Sequence, residues 1–199
     1  MTVTSVSGFF ASGVTCGIKH SGDSDLALVT HADGVPITAT GVFTSNKMTA
    51  APVQICKEYL STTGGQAAAV ILNSGNANAA TGEKGKNDAR AMAQSVAEHL
   101  GCKTEEVLVC STGWIGYPLP IEKIKKGIPE LVESLDSAGG LNAAKAIMTT
   151  DTVPKTVEIK KDNFTIGGIA KGAAMLEPNM ATMLAVITTD AEIDSLSAT

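Results

Sequence analysis

Thr182 and Lys171 are the side chains of this sequence with the most suggestive chemical setting. Both lie in the stretch GGIAKGAAMLEPNMATMLAVITTD, residues 167–190. A hydroxyl at the mouth of a core strand, with an ammonium nearby, suits acyl transfer. Gly167, Gly168 and Gly172 around it let backbone or ligand approach closely. The same pattern also describes an ordinary loop feeding a strand, with Thr182 bonded to its own backbone. A second group of donors is Ser111-Thr112-Gly113. Strand, then hydroxyl, then glycine aims backbone N–H groups at a developing negative charge, and is equally a common way to leave a strand.

No histidine supplies an obvious base. His20 and His31 sit in polar or strand-end positions, and His99 falls in the last turn of a helix, where its charge suits the helix dipole. A threonine without a histidine can still be a nucleophile if it becomes a chain N-terminus. Its own α-amino group, with a reference pKa of about 7.7–8.0, then takes the hydroxyl proton. That requires scission between Ala181 and Thr182, close to the turn-forming pair Pro178-Asn179.

The elements that must position these groups are legible from periodicity. Residues 8–12, 26–31, 67–72 and 107–111 read as short strands, and 37–44 as a strand in a hairpin with 26–31. Residues 183–189 form a short apolar run that fits a strand buried on both faces. Residues 153–159 and 164–170 alternate around Lys161-Asp162-Asn163 and predict a hairpin leading to Lys171. Helices are expected over 51–60, with Pro52 in the first turn, and over 142–148. A longer helix over 83–100 carries Ala89, Met92, Ala93, Val96 and Ala97 on one face and stops at Gly101. Residues 121–135 read as a helix in two pieces, broken at Gly127 and Pro129. After the strand at 67–72 comes the loop Asn73-Ser74-Gly75-Asn76-Ala77-Asn78, whose carboxamides either line a polar pocket or bond the turn they sit in. Trp114 is expected to cover an edge of the core.

The chain has 199 residues, 44% hydrophobic and 18% charged, with aromatics at only 4%. This is enough to bury a real core of small aliphatic side chains in one α/β domain, 1–199, with no internal boundary. A net charge of −5 argues against a nucleic-acid partner. The basic residues Lys123, Lys125 and Lys126 alternate with isoleucines as on a solvated helix face. Four separated cysteines without a CxxC pair favour free thiols over bridges or a metal site. No signal-like or membrane-length apolar run occurs, so a cytoplasmic protein with no membrane association is expected. Neither GxxxxGK[ST] nor a GxGxxG in a strand–turn–helix context is present.

Four motifs in one order, ILNSGNANAATG (71–82), CSTGWIG (110–116), AIMTTDTVPK (146–155) and GGIAKGAAMLEPNMATML (167–184), resemble the ornithine acetyltransferase family, also called glutamate N-acetyltransferase. The resemblance covers nearly the whole chain. It implies a layered αββα-like sandwich with mixed sheets, a fold shared with self-cleaving aminopeptidases. It also implies autocatalytic cleavage between Ala181 and Thr182. The new N-terminal threonine would carry the acetyl group from N-acetylornithine to glutamate in arginine biosynthesis, with acetyl-CoA a further donor in some members. Thr112 and Gly113 match the family's oxyanion hole, and Thr149 and Lys171 match substrate-contacting positions.

No cofactor or metal is implied. Family precursors are about twice this length, so the chain is expected to be the α-chain half, with 182–199 the start of the β chain. The assembled form would be an α2β2 heterotetramer. The alternatives are an N-terminal-threonine amidohydrolase of the same fold and an inactive half-protein acting as an assembly module.

Overall fold

The computed structural model describes residues 1–173 and 183–193. Ala181 and Thr182 lie outside the described residues. In chain order the elements are β1 (Phe9–Val14), β2 (Leu26–His31), β3 (Ile37–Thr38), α1 (Ala51–Thr62), β4 (Gln66–Ala67), β5 (Ala69–Asn76), α2 (Gly82–Leu100), β6 (Val107–Trp114), α3 (Ile121–Glu133), α4 (Gly140–Ala146), β7 (Lys155–Lys160), β8 (Thr165–Lys171) and β9 (Leu184–Thr189). The main sheet has the order β1-β2-β5-β6 and the second the order β7-β8-β9.

The sequence LALVTH of β2 shows why the main sheet is covered on both faces. Leu26 and Leu28 point into a core shared with Ile55 of α1, Met92 and Val96 of α2, and Ile124 and Leu131 of α3. Ala27 and Val29, one residue out of phase, enter a second core with Ala143 and Ala144 of α4 and Ile169 of β8. Alternating Cβ directions put each set on its own face. Each fully buried leucine contributes roughly 1.5–3 kcal/mol. Leu184 and Val186 of β9 pack against the second core as well. The result is a layered α/β sandwich: helices α1–α3, the mixed sheet, then the antiparallel sheet, with α4 beside the sheet-to-sheet contact.

α2 is the crossover that makes β5 and β6 parallel. Gly101 ends it at φ 73°, donating its N–H to Ala97 O over 2.8 Å. Parallel pairing brings two motifs side by side, with Ser74 opposite Thr112 and Gly75 opposite Gly113. The strands therefore run further than the sequence suggests. Asn73–Asn76 and Thr112–Trp114 are ladder residues, not loop.

Other expectations are corrected. The strand expected over 37–44 shrinks to Ile37–Thr38 and pairs with β4, because β1 and β5 already occupy both edges of β2. α3 is one continuous helix. Gly127 does not break it but allows contact, since a Cβ there would stand 2.7 Å from Cys16 Cβ. Pro129 is on the exposed face, where water can satisfy the carbonyl that loses its helical partner. β9 is not buried on both faces. It is an edge strand whose Ile187 is 70% exposed, while Thr188 turns inward and donates to Val3 O over 2.7 Å. The hairpin of β7 and β8 forms as expected.

Candidate active site

β6 and β8 belong to different sheets, yet their C-terminal residues meet. Lys171 Nζ donates to Thr112 Oγ1 over 3.1 Å. Both residues are buried, Lys171 to 5% exposure. Burial lowers the Lys171 pKa, against an upward pull from Asp151 and with a further downward push from Lys155. Among the described residues no carboxylate forms an ion pair with this ammonium. A buried cation whose partner among the described residues is one neutral hydroxyl is costly on its own and suits an anionic ligand.

Asp151 fixes the backbone beside that lysine. Its carboxylate accepts the N–H of Gly172 at 2.8 Å and of Thr149 at 3.2 Å, and pairs with Lys155. Burial by itself would raise its pKa. The Lys155 hydrogen bond and the two backbone N–H groups outweigh that and hold it at about 2. The residue thus joins the turn after α4, the start of β7 and the end of β8.

Thr112, Gly113, Thr149 and Lys171 all line one cavity of about 1160 Å³, closed on other sides by Lys19, Asn76 and Trp114 among others. A smaller hollow of about 360 Å³ beside Phe43 and Lys57 contains none of these residues. At the floor of the larger cavity the main chain is very close-packed. A Cβ on Gly113, whose φ is +134°, would stand 2.3 Å from the carbonyl carbon of Gly75. Only glycine fits there.

The asparagine run works mainly as internal bracing. Asn73 Nδ2 donates to Asn76 O at 2.9 Å, and Ser111 Oγ to Asn73 Oδ1 at 2.6 Å. Asn78 donates to Gly85 O at 2.8 Å. Asn76 lines the cavity, but its carboxamide donates to Tyr117 O and Pro118 O and so holds the rim. Trp114 is not a core cover. It is 67% exposed at that rim, edge-on to Tyr117 with ring centroids 5.5 Å apart.

Of the candidate residues taken from sequence, four are therefore brought together. Thr182 and Ala181 lie outside the described residues. Asp151 and Lys19 had no assigned role from sequence. The signal for Asp151 was its place in the TTD run at the end of an apolar helix, beside residues already in question.

Comparison with known proteins comes to the same place. Residues 10–198 match the model of the ArgJ family. The chain is 52% identical over 194 residues to the arginine biosynthesis bifunctional protein ArgJ of Streptomyces avermitilis, covering 98% of this chain and 50% of that protein. It is 51% identical to the protein of the same name from Geobacter sulfurreducens, covering 95% of this chain and 48% of that one. The chain thus spans about half the length of the curated relatives it matches.

Among solved structures it superimposes on an ornithine acetyltransferase from Mycobacterium tuberculosis, complexed with ornithine, at a TM-score of 0.85 and 48% identity, covering 90% of this chain and 96% of that one. A second match, ArgJ from Bacillus halodurans, has a TM-score of 0.80 at 36% identity and covers 91% of this chain and 95% of that one. With the family model spanning nearly all of the sequence and relatives at half identity along its length, this chain belongs to the ArgJ family.

Proposed function

We propose that the chain is the nucleophile-bearing half of an acetyltransferase that moves the acetyl group of N-acetylornithine to glutamate. The observation that carries this reading is the placement of Lys171. It is the register partner of Leu184. At the end of β8 it meets Thr112, and with Gly113 and Thr149 the two line one cavity.

In the proposed cycle water first hydrolyses the Ala181–Thr182 bond. Its oxygen passes to the new Ala181 carboxylate and a proton to the Thr182 nitrogen, which frees the Thr182 amine. That amine takes the Thr182 hydroxyl proton as Oγ1 attacks the acetyl carbonyl. The negative charge that develops on the carbonyl oxygen is met by the Thr112 hydroxyl and the Gly113 N–H. Such donors are worth roughly 3–4 kcal/mol each. Collapse breaks the C–N bond, and the departing ornithine amine takes the proton back. The acetyl-threonine ester is then attacked by the glutamate amine in the reverse sense. Lys171 holds the α-carboxylate of each amino acid, and Thr149 contributes at the rim. No cofactor is needed, because bond energy is passed from amide to ester to amide.

The comparisons support parts of this picture. The match to an ornithine acetyltransferase supports the substrate class. The word bifunctional in the relatives' names supports a second donor, for which acetyl-CoA is our candidate. A solved chain of similar extent to this one supports division of the precursor into α and β chains, which we take to assemble as α2β2. No helix among the described residues is long and apolar enough to cross a membrane, and we place the enzyme in the cytoplasm.

The test is intact mass and product analysis on the full-length protein. Two chains breaking before Thr182, an acetyl adduct on the β chain after N-acetylornithine, and acetylglutamate on adding glutamate are expected. A Thr182→Ala protein that still exchanges acetyl groups at the native rate would overturn the reading. Release of acetate without acetylglutamate would favour hydrolysis.

A further inference from the structure

Lys171 is not the only ammonium in the cavity without a carboxylate partner. Lys19 lies in the cavity wall, on the loop between β1 and β2, and its Nζ donates to Ser24 O over 2.7 Å. Among the described residues it forms no ion pair. Burial lowers its pKa, while Asp25, Asp23 and Asp151 pull it up and Lys171 pushes it down, which puts the two ammonium groups within electrostatic reach of each other.

The loop that carries Lys19 is firmly held. Asp25 is fully buried, and its carboxylate accepts three backbone N–H groups, those of Cys16 at 2.7 Å, Ile18 at 2.5 Å and Lys19 at 2.9 Å. Lys123 Nζ, also in the cavity lining, donates to Gly17 O over 2.7 Å. Ile18 packs over Gly75, where a Cβ would stand 2.8 Å from Ile18 Cγ2. Three amide donors engage both oxygens of the Asp25 carboxylate, so it anchors the loop, and its charge attracts the Lys19 ammonium without forming an ion pair with it.

Lys123 and Lys145 line the same cavity but are exposed, whereas Lys19 is half-buried and Lys171 buried. Lys19 and Lys171 are thus the two ammonium groups drawn out of solvent without an ion-pair partner among the described residues, a pair that matches a ligand with two separated carboxylates. We propose that Lys19 is a second anion subsite, receiving the side-chain carboxylate of a dicarboxylic amino-acid acceptor while Lys171 takes its α-carboxylate. This rests on the preceding reading, in which glutamate is the acceptor. A donor ending in an ammonium gains nothing from Lys19 and faces Asp23 of the same loop, so the subsite separates the two half-reactions.

The experiment compares glutamate with glutamine, its uncharged isostere, as acetyl acceptors for the full-length processed enzyme, with N-acetylornithine as donor. The unaltered enzyme is expected to prefer glutamate by about 10-fold to 100-fold in kcat/KM, the range for a hydrogen bond to a charged group. Lys19→Gln should lose most of that preference, and its KM for glutamate should rise at least about tenfold more than its KM for N-acetylornithine. Lys19→Arg should restore the preference. The ratio of two acceptors is internal to each preparation, so partial loss of folded protein does not move it.

An unaltered enzyme that uses glutamine as well as glutamate overturns the proposal without any variant. So does a Lys19→Gln enzyme that keeps the full preference. An unaltered enzyme that acetylates no amino acid at all sinks the acetyltransferase reading itself.

Discussion

Lys171 Nζ can only donate, so at 3.1 Å from Thr112 Oγ1 it compels that oxygen to accept. The hydroxyl hydrogen of Thr112 is thereby left for another acceptor. A side chain that is usually an ambiguous donor or acceptor is left with its hydrogen free to donate, as the oxyanion role proposed above requires.

Thr112→Val keeps the shape of the β6 end and removes that donor. On the proposed function, kcat for acetyl transfer should fall about 10²–10³-fold with the protein still folded. Steady-state kinetics beside a thermal melt checks it. An unchanged kcat would remove Thr112 from the oxyanion site.

Lys171→Met should separate stability from activity. The folded-state pKa of Lys171 is lowered, so burying its charged form opposes folding at pH values below that pKa. The opposition fades as pH rises toward the ordinary lysine value. The variant should therefore melt at or above the native temperature near pH 7, and the gap should narrow at high pH. Transfer activity should drop by about 100-fold, from the lost hydrogen bond to a substrate carboxylate.

Asp151→Asn should behave in the opposite way. The native carboxyl titrates at about 2 rather than 3.8, so its stabilisation is present above the ordinary value and is lost as pH falls through the lower one. At pH 7 the variant should be less stable by about 2 kcal/mol. Urea unfolding across the acid range is the measurement. The difference between the two proteins should shrink from about pH 4 to pH 2.

Gly113→Ala is expected to damage the fold at the site itself. Its φ of +134° and the 2.3 Å approach to Gly75 leave no room for a methyl group. The β5–β6 register must shift locally, at a cost of more than about 2 kcal/mol. Denaturant midpoints and the loss of transfer activity should move together here, unlike the Thr112→Val case.

The thiols should be silent in the native protein. Burial pushes Cys56 up to about 11 and Cys16, with Asp25 adding to it, up to about 12. Burial also raises Cys102, and raises Cys110 further still. Iodoacetamide at pH 8 should leave the activity intact and modify four thiols only after denaturation. Rapid native modification would contradict the raised thiol pKa values of Cys56, which is buried, and of Cys16, Cys102 and Cys110, which are half-buried.

Local pattern alone determined several elements of this protein. The alternation in LALVTH, the one-sided face of α2 with Gly101 behind it, and the turn between β7 and β8 are short-range effects, set within a few residues by Cβ direction, capping and turn chemistry. The chemical types at the site were likewise legible, as hydroxyl, glycine and lysine at strand ends. Only the tertiary structure decided what those residues do together. Thr112 and Lys171 are 59 positions apart and belong to separate sheets, so no local pattern reports their hydrogen bond. The extension of β5 and β6 through their polar motifs depends on parallel pairing across α2. Lys19 acquires its place only because Asp25 gathers three amides around a buried carboxylate. Strand partners, edge positions and buried charges are fixed by which neighbours are already taken, and that is a property of the whole packed chain.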